Sequence, residues 1–177
     1  MTKTTKSICI TAMGVALYVV LALCLQVPVF ENYYLCLGYV AMMVFCYYFG
    51  AASGITVGVL GVILYCLLTN GLRGLPGWAA GNLVIGLTVG LTCSFTKKMQ
   101  SNTLIVFVII AAIILSTAIG ILGVKSIIEV VLFAQPMFLR VAKNSYAFVA
   151  DVVVLIASVP ICLGLKGSIQ NITKEIT

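Results

Sequence analysis

The sequence predicts an all-α polytopic membrane protein: six transmembrane helices bundled into a single domain over residues 1–177, with both termini cytoplasmic. Three observations carry that prediction. Hydrophobic residues make up 63% of the chain and charged residues 8%, whereas a soluble domain is nearer half apolar and a quarter charged. Apolar runs of about 20 residues, the length that crosses a hydrocarbon layer roughly 30 Å thick, alternate with short polar breaks. Lysine and arginine are biased toward one side of the bilayer that such runs define.

The first run covers residues 7–25 and stops before Pro28. It follows the short basic stretch 1–6, is too long for a signal peptide and lacks a small-residue cleavage site, so it reads as a retained helix. The second run, residues 33–49, and the third, residues 51–68, are joined only by "FGAASG", which makes them a tight helical hairpin. Tyr33 and Tyr34 at one end, and Tyr47 and Tyr48 at the other, are placed as interfacial anchors. Residues 78–95, 104–122 and 141–163 supply the fourth, fifth and sixth spans. Between the last two, the apolar stretch 127–139 carries Glu129 and is interrupted by Pro136. Too short and too polar to cross comfortably, the region 123–145 is expected to form a re-entrant or interfacial half-helix on the outer side. A seventh span is the alternative, and it would turn the C-terminus outward.

With six spans, Lys3, Lys6, Lys97, Lys98, Lys166 and Lys174 fall inside, and Arg73, Lys125, Arg140 and Lys143 fall outside. The bias favours this orientation, and the four outer cations need another explanation. The net charge of +6 forms no continuous stripe for a nucleic-acid backbone. Seven cysteines in apolar stretches, with no C-x-x-C spacing and no histidine, read as small buried hydrophobes rather than as a metal set or disulfides. The chain has no G-x-x-x-x-G-K-[ST] loop, no H-E-x-x-H motif and no carboxylates closely spaced in sequence, so no catalytic residue, metal or cofactor is assigned.

Binding is the chemistry left. "TNGLRGLPGW", residues 69–78, puts Arg73 and the only tryptophan, Trp78, in a Gly-rich outer loop. Such a loop serves as a lid with a stacking surface and a polar clamp; it equally fits a plain turn with an interfacial indole and a snorkelling arginine. In the sixth helix, Arg140, Asn144, Ala147 and Asp151 share one face at about 100° per residue. An aspartate at mid-helix costs about 3 kcal/mol to insert, which marks Asp151 as a functional candidate, with a purely packing hydrogen bond as the alternative. Glu129, Lys143 and Asn82, one turn beyond Trp78, complete a polar set expected to converge on a cavity open to the outside. Gly50, Gly54 and Gly58, the pairs Gly77 and Gly81, and Gly86 and Gly90, repeat at four-residue spacing for close helix packing. Ala12 and Ala16 form a similar pair that faces either the bundle or a partner.

"ITAMGVALYVVLAL" near the start, "FGAASGITVGVLGVIL" in the hairpin, the Gly-rich loop and "RVAKNSYAFVADVVV" in the last helix together resemble the S components of energy-coupling factor (ECF) transporters, the vitamin importers of bacteria and archaea, and within them the riboflavin-transporter-like branch. The resemblance covers most of the chain. It implies that Ala12 and Ala16 form the A-x-x-x-A motif that contacts a coupling transmembrane subunit, itself bound to two ATPase subunits. It also implies that Asn144 lines a vitamin pocket and that the third–fourth and fifth–sixth loops are lid elements. The S component then topples in the membrane to release its cargo inside. The charges at Lys125, Glu129, Arg140, Lys143 and Asp151 depart from a riboflavin pocket. They suit a smaller polar heteroaromatic, pyridoxine-like or hydroxymethylpyrimidine-like, with riboflavin, a queuosine precursor and an acidic vitamin still open. Two other readings compete: a self-sufficient proton-coupled carrier or channel using Asp151 or Glu129, and a structural membrane subunit.

Overall fold

A computed structural model describes residues 3–24, 27–30, 33–69, 71–97, 99 and 101–165. Asn70, Lys98, Lys166 and Lys174 lie outside the described residues, as do the side chains of Lys3, Tyr33 and Tyr34.

Among the described residues, six helices form the bundle. The first is Lys3–Cys24, the second Gly38–Phe49, the third Ala51–Leu68, the fourth Leu75–Thr96, the fifth Asn102–Phe133 and the sixth Met137–Gly164. All but the second are long and apolar enough to cross a membrane. The second has 12 residues, about 18 Å at 1.5 Å per residue, because its predicted first turns are not helical. Tyr33–Leu35 instead pairs antiparallel with Val27–Phe30 in a small hairpin, the only sheet among the described residues. Pro28, which has no N–H, and the β-branched and aromatic residues beside it account for that choice.

The helices close a ring in which the first packs on the third, the third on the fourth, the fourth on the fifth, the fifth on the sixth, the sixth on the second and the second on the first. The second also meets the third and fourth, so its side chains fill the centre: Tyr39, Met42 and Met43 are buried there with Tyr18 of the first helix and Ile85 of the fourth. Small residues set the spacing. A Cβ on Gly58 would meet the Met42 sulfur, one on Gly54 the Cys46 sulfur, and one on Gly90 the backbone of Ala51. Between the second and third helices Gly50 adopts φ +88°, a conformation open to glycine at no steric cost, and this makes the tight hairpin possible.

Two expectations are corrected. Residues 123–133 form no re-entrant half-helix and no seventh span: the fifth helix runs unbroken to Phe133, through a π-helical stretch at Ala118–Lys125. Its 32 residues span about 48 Å, so its last turns extend beyond one hydrocarbon thickness. Glu129 does not break it, because that side chain is buried against polar partners rather than lipid. Pro136 lies past the helix end, after Ala134 in the left-handed region at φ 49°, and caps the sixth helix, where a missing N–H leaves no internal bond unmade. The sixth helix therefore starts at Met137, one turn before the expected 141.

The second correction concerns Tyr48 and two cysteines. Tyr48 is no surface anchor, since it is buried and its hydroxyl donates to the Cys162 carbonyl across the bundle. Cys9 and Cys24 are exposed on the first helix, and the other five cysteines are buried and free.

Candidate binding cavity

The polar residues of the loops and the sixth helix meet in a cavity of about 610 Å³, within the size range of small-ligand sites. It lies at the end of the bundle where the first, third and fifth helices finish and the second, fourth and sixth begin; Ala22, Cys36, Tyr65, Trp78, Glu129 and Arg140 mark those ends on its wall.

The mouth is cationic and aromatic. The Arg73 guanidinium carbon sits 4.8 Å from the centre of the Phe133 ring and that of Arg140 5.8 Å from the same ring. This joins the third–fourth connection to the end of the fifth helix and the start of the sixth. Such placement over a ring face is attractive, by about 0.5–2 kcal/mol according to desolvation. Arg140 also reaches Glu129 at 3.5 Å.

Trp78 and Tyr65 form an aromatic wall, edge to face with centroids 5.6 Å apart, and the Lys125 ammonium lies 5.9 Å from the indole centre. The indole N–H donates to Tyr39 Oη at 2.9 Å, and Tyr39 in turn donates to Asn82 Oδ1 at 2.8 Å. Asn82 Nδ2 donates to the Gly58 carbonyl at 2.9 Å and to Tyr18 Oη at 3.2 Å. Four helices are thus tied beneath the cavity by a chain in which every group except the indole is fully buried or backbone. Cys36, on the wall before the second helix, donates to Tyr18 Oη at 3.5 Å; burial pushes its thiol up to about 12, so it contributes a neutral surface and not a nucleophile.

Glu129 is held from two sides. Asn144 Nδ2 donates to Glu129 Oε2 at 3.1 Å and to Ser126 Oγ at 2.9 Å. Asp151 is buried deeper along the sixth helix, on the cavity wall.

Local sequence explains why the fifth helix delivers these groups. Gly77 and Gly81 present no side chain toward it: a Cβ on Gly77 would come 3.1 Å from Lys125 Cγ and 3.2 Å from Glu129 Cγ, and one on Gly81 3.1 Å from the Gly120 carbonyl. The π-helical stretch adds to this. An i→i+5 bonding pattern places one extra residue in the turn and rotates the downstream residues by roughly 100° relative to a continuous α-helix. Lys125, Ser126 and Glu129 are buried as a result.

Of the eight residues expected to bind a ligand, Arg73, Trp78, Glu129, Arg140 and Asp151 line the cavity. Asn144 and Asn82 are fully buried behind it, supporting Glu129 and the tyrosine chain, and Lys143 is exposed and off the wall. Sequence reasoning left out Tyr65, Tyr39 and Phe133, which carry no signal of their own, since aromatics in apolar helices are ordinary core; Lys125, one of the four cations on the disfavoured side and one of the charges expected in the pocket, is on the wall. Ala12 and Ala16 are both exposed on the first helix, beside Met13 and Leu17, roughly two to three turns before its cavity end at Ala22.

A family model described as "ECF-type riboflavin transporter, S component" matches residues 2–167. No curated protein matches the chain, and no solved structure does.

Proposed function

The chain belongs to the family of ECF-type riboflavin transporter S components, and from that premise we propose that its cavity captures one small vitamin or vitamin precursor from outside the cell. The family makes it the vitamin-binding, multi-pass membrane subunit of a transporter that works with an ECF module, and not an enzyme. The finer assignment rests on the site. A bacterial plasma membrane, with both termini cytoplasmic, sets the cavity mouth outward. The aromatic wall of Trp78 and Tyr65 takes a flat ring, and the charges of Arg73, Lys125, Glu129, Arg140 and Asp151 orient its substituents. A pyridoxine-like or hydroxymethylpyrimidine-like compound fits that lining, and riboflavin remains within the volume class.

Ala12 and Ala16 form the docking face for the coupling transmembrane subunit, which two ATPase subunits energise. Their exposure supports this, because small residues left uncovered on a helix allow another helix to approach closely.

A single observation carries the reading: Tyr65, Arg73, Trp78, Lys125, Glu129, Arg140 and Asp151, from three separate parts of the sequence, converge on one chamber inside an apolar bundle. Mass spectrometry of ligand extracted from the purified chain tests it, with uptake assayed in liposomes with and without the energised module. Retention of a small aromatic vitamin and uptake only with the module are expected. Uptake by the chain alone under a proton gradient would instead establish a self-sufficient carrier working through Asp151 or Glu129.

A further inference from the structure

Charge on the cavity wall is unequal, with Arg73, Lys125 and Arg140 set against Glu129 and Asp151. Glu129 is already engaged, by Arg140 and Asn144. Arg73 has no carboxylate partner among the described residues and rests on the Phe133 ring alone. Arg140 shares that ring, and its Nε is buried without a hydrogen-bond acceptor. An unmade bond of this kind at a charged group is costly in a partly dehydrated site.

Resting on the assignment of this cavity as the vitamin site, we infer that the cargo is a flat heteroaromatic bearing one carboxylate, with the carboxylate between Arg73 and Arg140 at the Phe133 end and the ring against Trp78 and Tyr65. Planar guanidiniums match a carboxylate through paired N–H donors, and the orphaned Arg140 Nε–H gains an acceptor. The ring stays between the aromatic wall and Lys125, whose ammonium already lies over the indole.

The test uses matched probes that differ only at the charged group, pyridine-3-carboxylate against pyridine-3-carboxamide and 4-pyridoxate against pyridoxine, with riboflavin as a reference. Binding is measured by calorimetry on the full chain in phosphatidylcholine nanodiscs. The carboxylate member of each pair is expected to bind at least about tenfold more tightly, an advantage of about 1.4 kcal/mol. That gap should shrink on adding salt, and in R73Q it should fall below about threefold. Arg73 is exposed in a connecting segment, so this variant tests recognition rather than folding; melting temperature checks it. Equal or tighter binding of the uncharged members, or of riboflavin, overturns the inference and leaves the vitamin-site assignment standing. Failure of every probe to bind overturns both. Displacement of the carboxylates by phosphatidylglycerol in the nanodisc, with phospholipid retained on the purified chain, assigns the arginines to lipid head groups and also overturns it. Carboxylate binding in a chain that the module cannot drive to uptake would uphold the ligand class while defeating the transport role.

Discussion

The indole N–H of Trp78 donates to the hydroxyl of Tyr39 at 2.9 Å, so the wall of the cavity and the buried centre of the bundle are one hydrogen-bonded structure. A ligand that moves the indole therefore pulls on a chain that runs through Asn82 to Tyr18 and Gly58. Any shift at the mouth is felt by the first, second, third and fourth helices.

Trp78→Ala should weaken ligand binding about ten- to a hundredfold, the range for a large aromatic in a desolvated pocket. It removes the flat surface and leaves the Tyr39 oxygen without its donor. Titration of the extracted vitamin into wild type and variant reads the change. An unchanged affinity would remove the indole from the site.

Asn82→Leu should act on stability before it acts on binding. Asn82 is fully buried and its amide serves Tyr39, Tyr18 and the Gly58 carbonyl at once, so its loss leaves several buried polar groups unpaired at about 1–3 kcal/mol each. A lower midpoint in thermal unfolding is expected, with ligand affinity falling less than in Trp78→Ala. A variant as stable as wild type would mean that the tyrosine chain does not hold the helices.

Asn144→Ala should reduce affinity by about tenfold, corresponding to 1.4 kcal/mol, although Asn144 does not touch the cavity. Its amide holds Glu129 and Ser126 in place; without it the carboxylate is free to turn and Arg140 loses a fixed partner. Gln at the same position keeps the amide and should recover part of the loss, and a stability effect with unaltered affinity would reduce Asn144 to a packing role.

Gly81→Leu should separate the fourth helix from the π-helical part of the fifth, because its Cβ alone would lie 3.1 Å from the Gly120 carbonyl. Stability and binding are expected to fall together, since the same contact places Lys125 and Glu129. Gly123→Ala is the control: nothing lies within 4 Å of the added Cβ, and both properties should persist. Measuring melting and affinity on the two variants side by side decides whether this approach of helices builds the site.

Bulky changes on the first helix should divide binding from transport. Ala12→Phe and Ala16→Phe alter an exposed face, so ligand affinity should stay within about threefold while module-dependent uptake drops below roughly a tenth, because a close helix–helix approach tolerates only small side chains. Parallel loss of both activities would mean that the face belongs to the bundle.

Apolar composition and run length alone sufficed to identify a membrane bundle of six helices, because a chain that cannot hydrate its backbone must bond it internally. The Arg140, Asn144 and Asp151 face was legible for the same reason: helical periodicity holds without any knowledge of neighbours. The course of residues 123–136 was not. A buried glutamate and a proline look alike in sequence whether they break a span or lie against partners, and only the packing of Asn144 and Arg140 on Glu129, with Pro136 at a helix start, resolves them. Tertiary structure also decided that Asn82 and Asn144 act from behind the wall and that Tyr65 and Phe133 form part of it. Spacing along one helix says which residues share a face; which other helix that face meets is set by side chains far away in sequence, here the glycines that let the fourth and fifth helices touch.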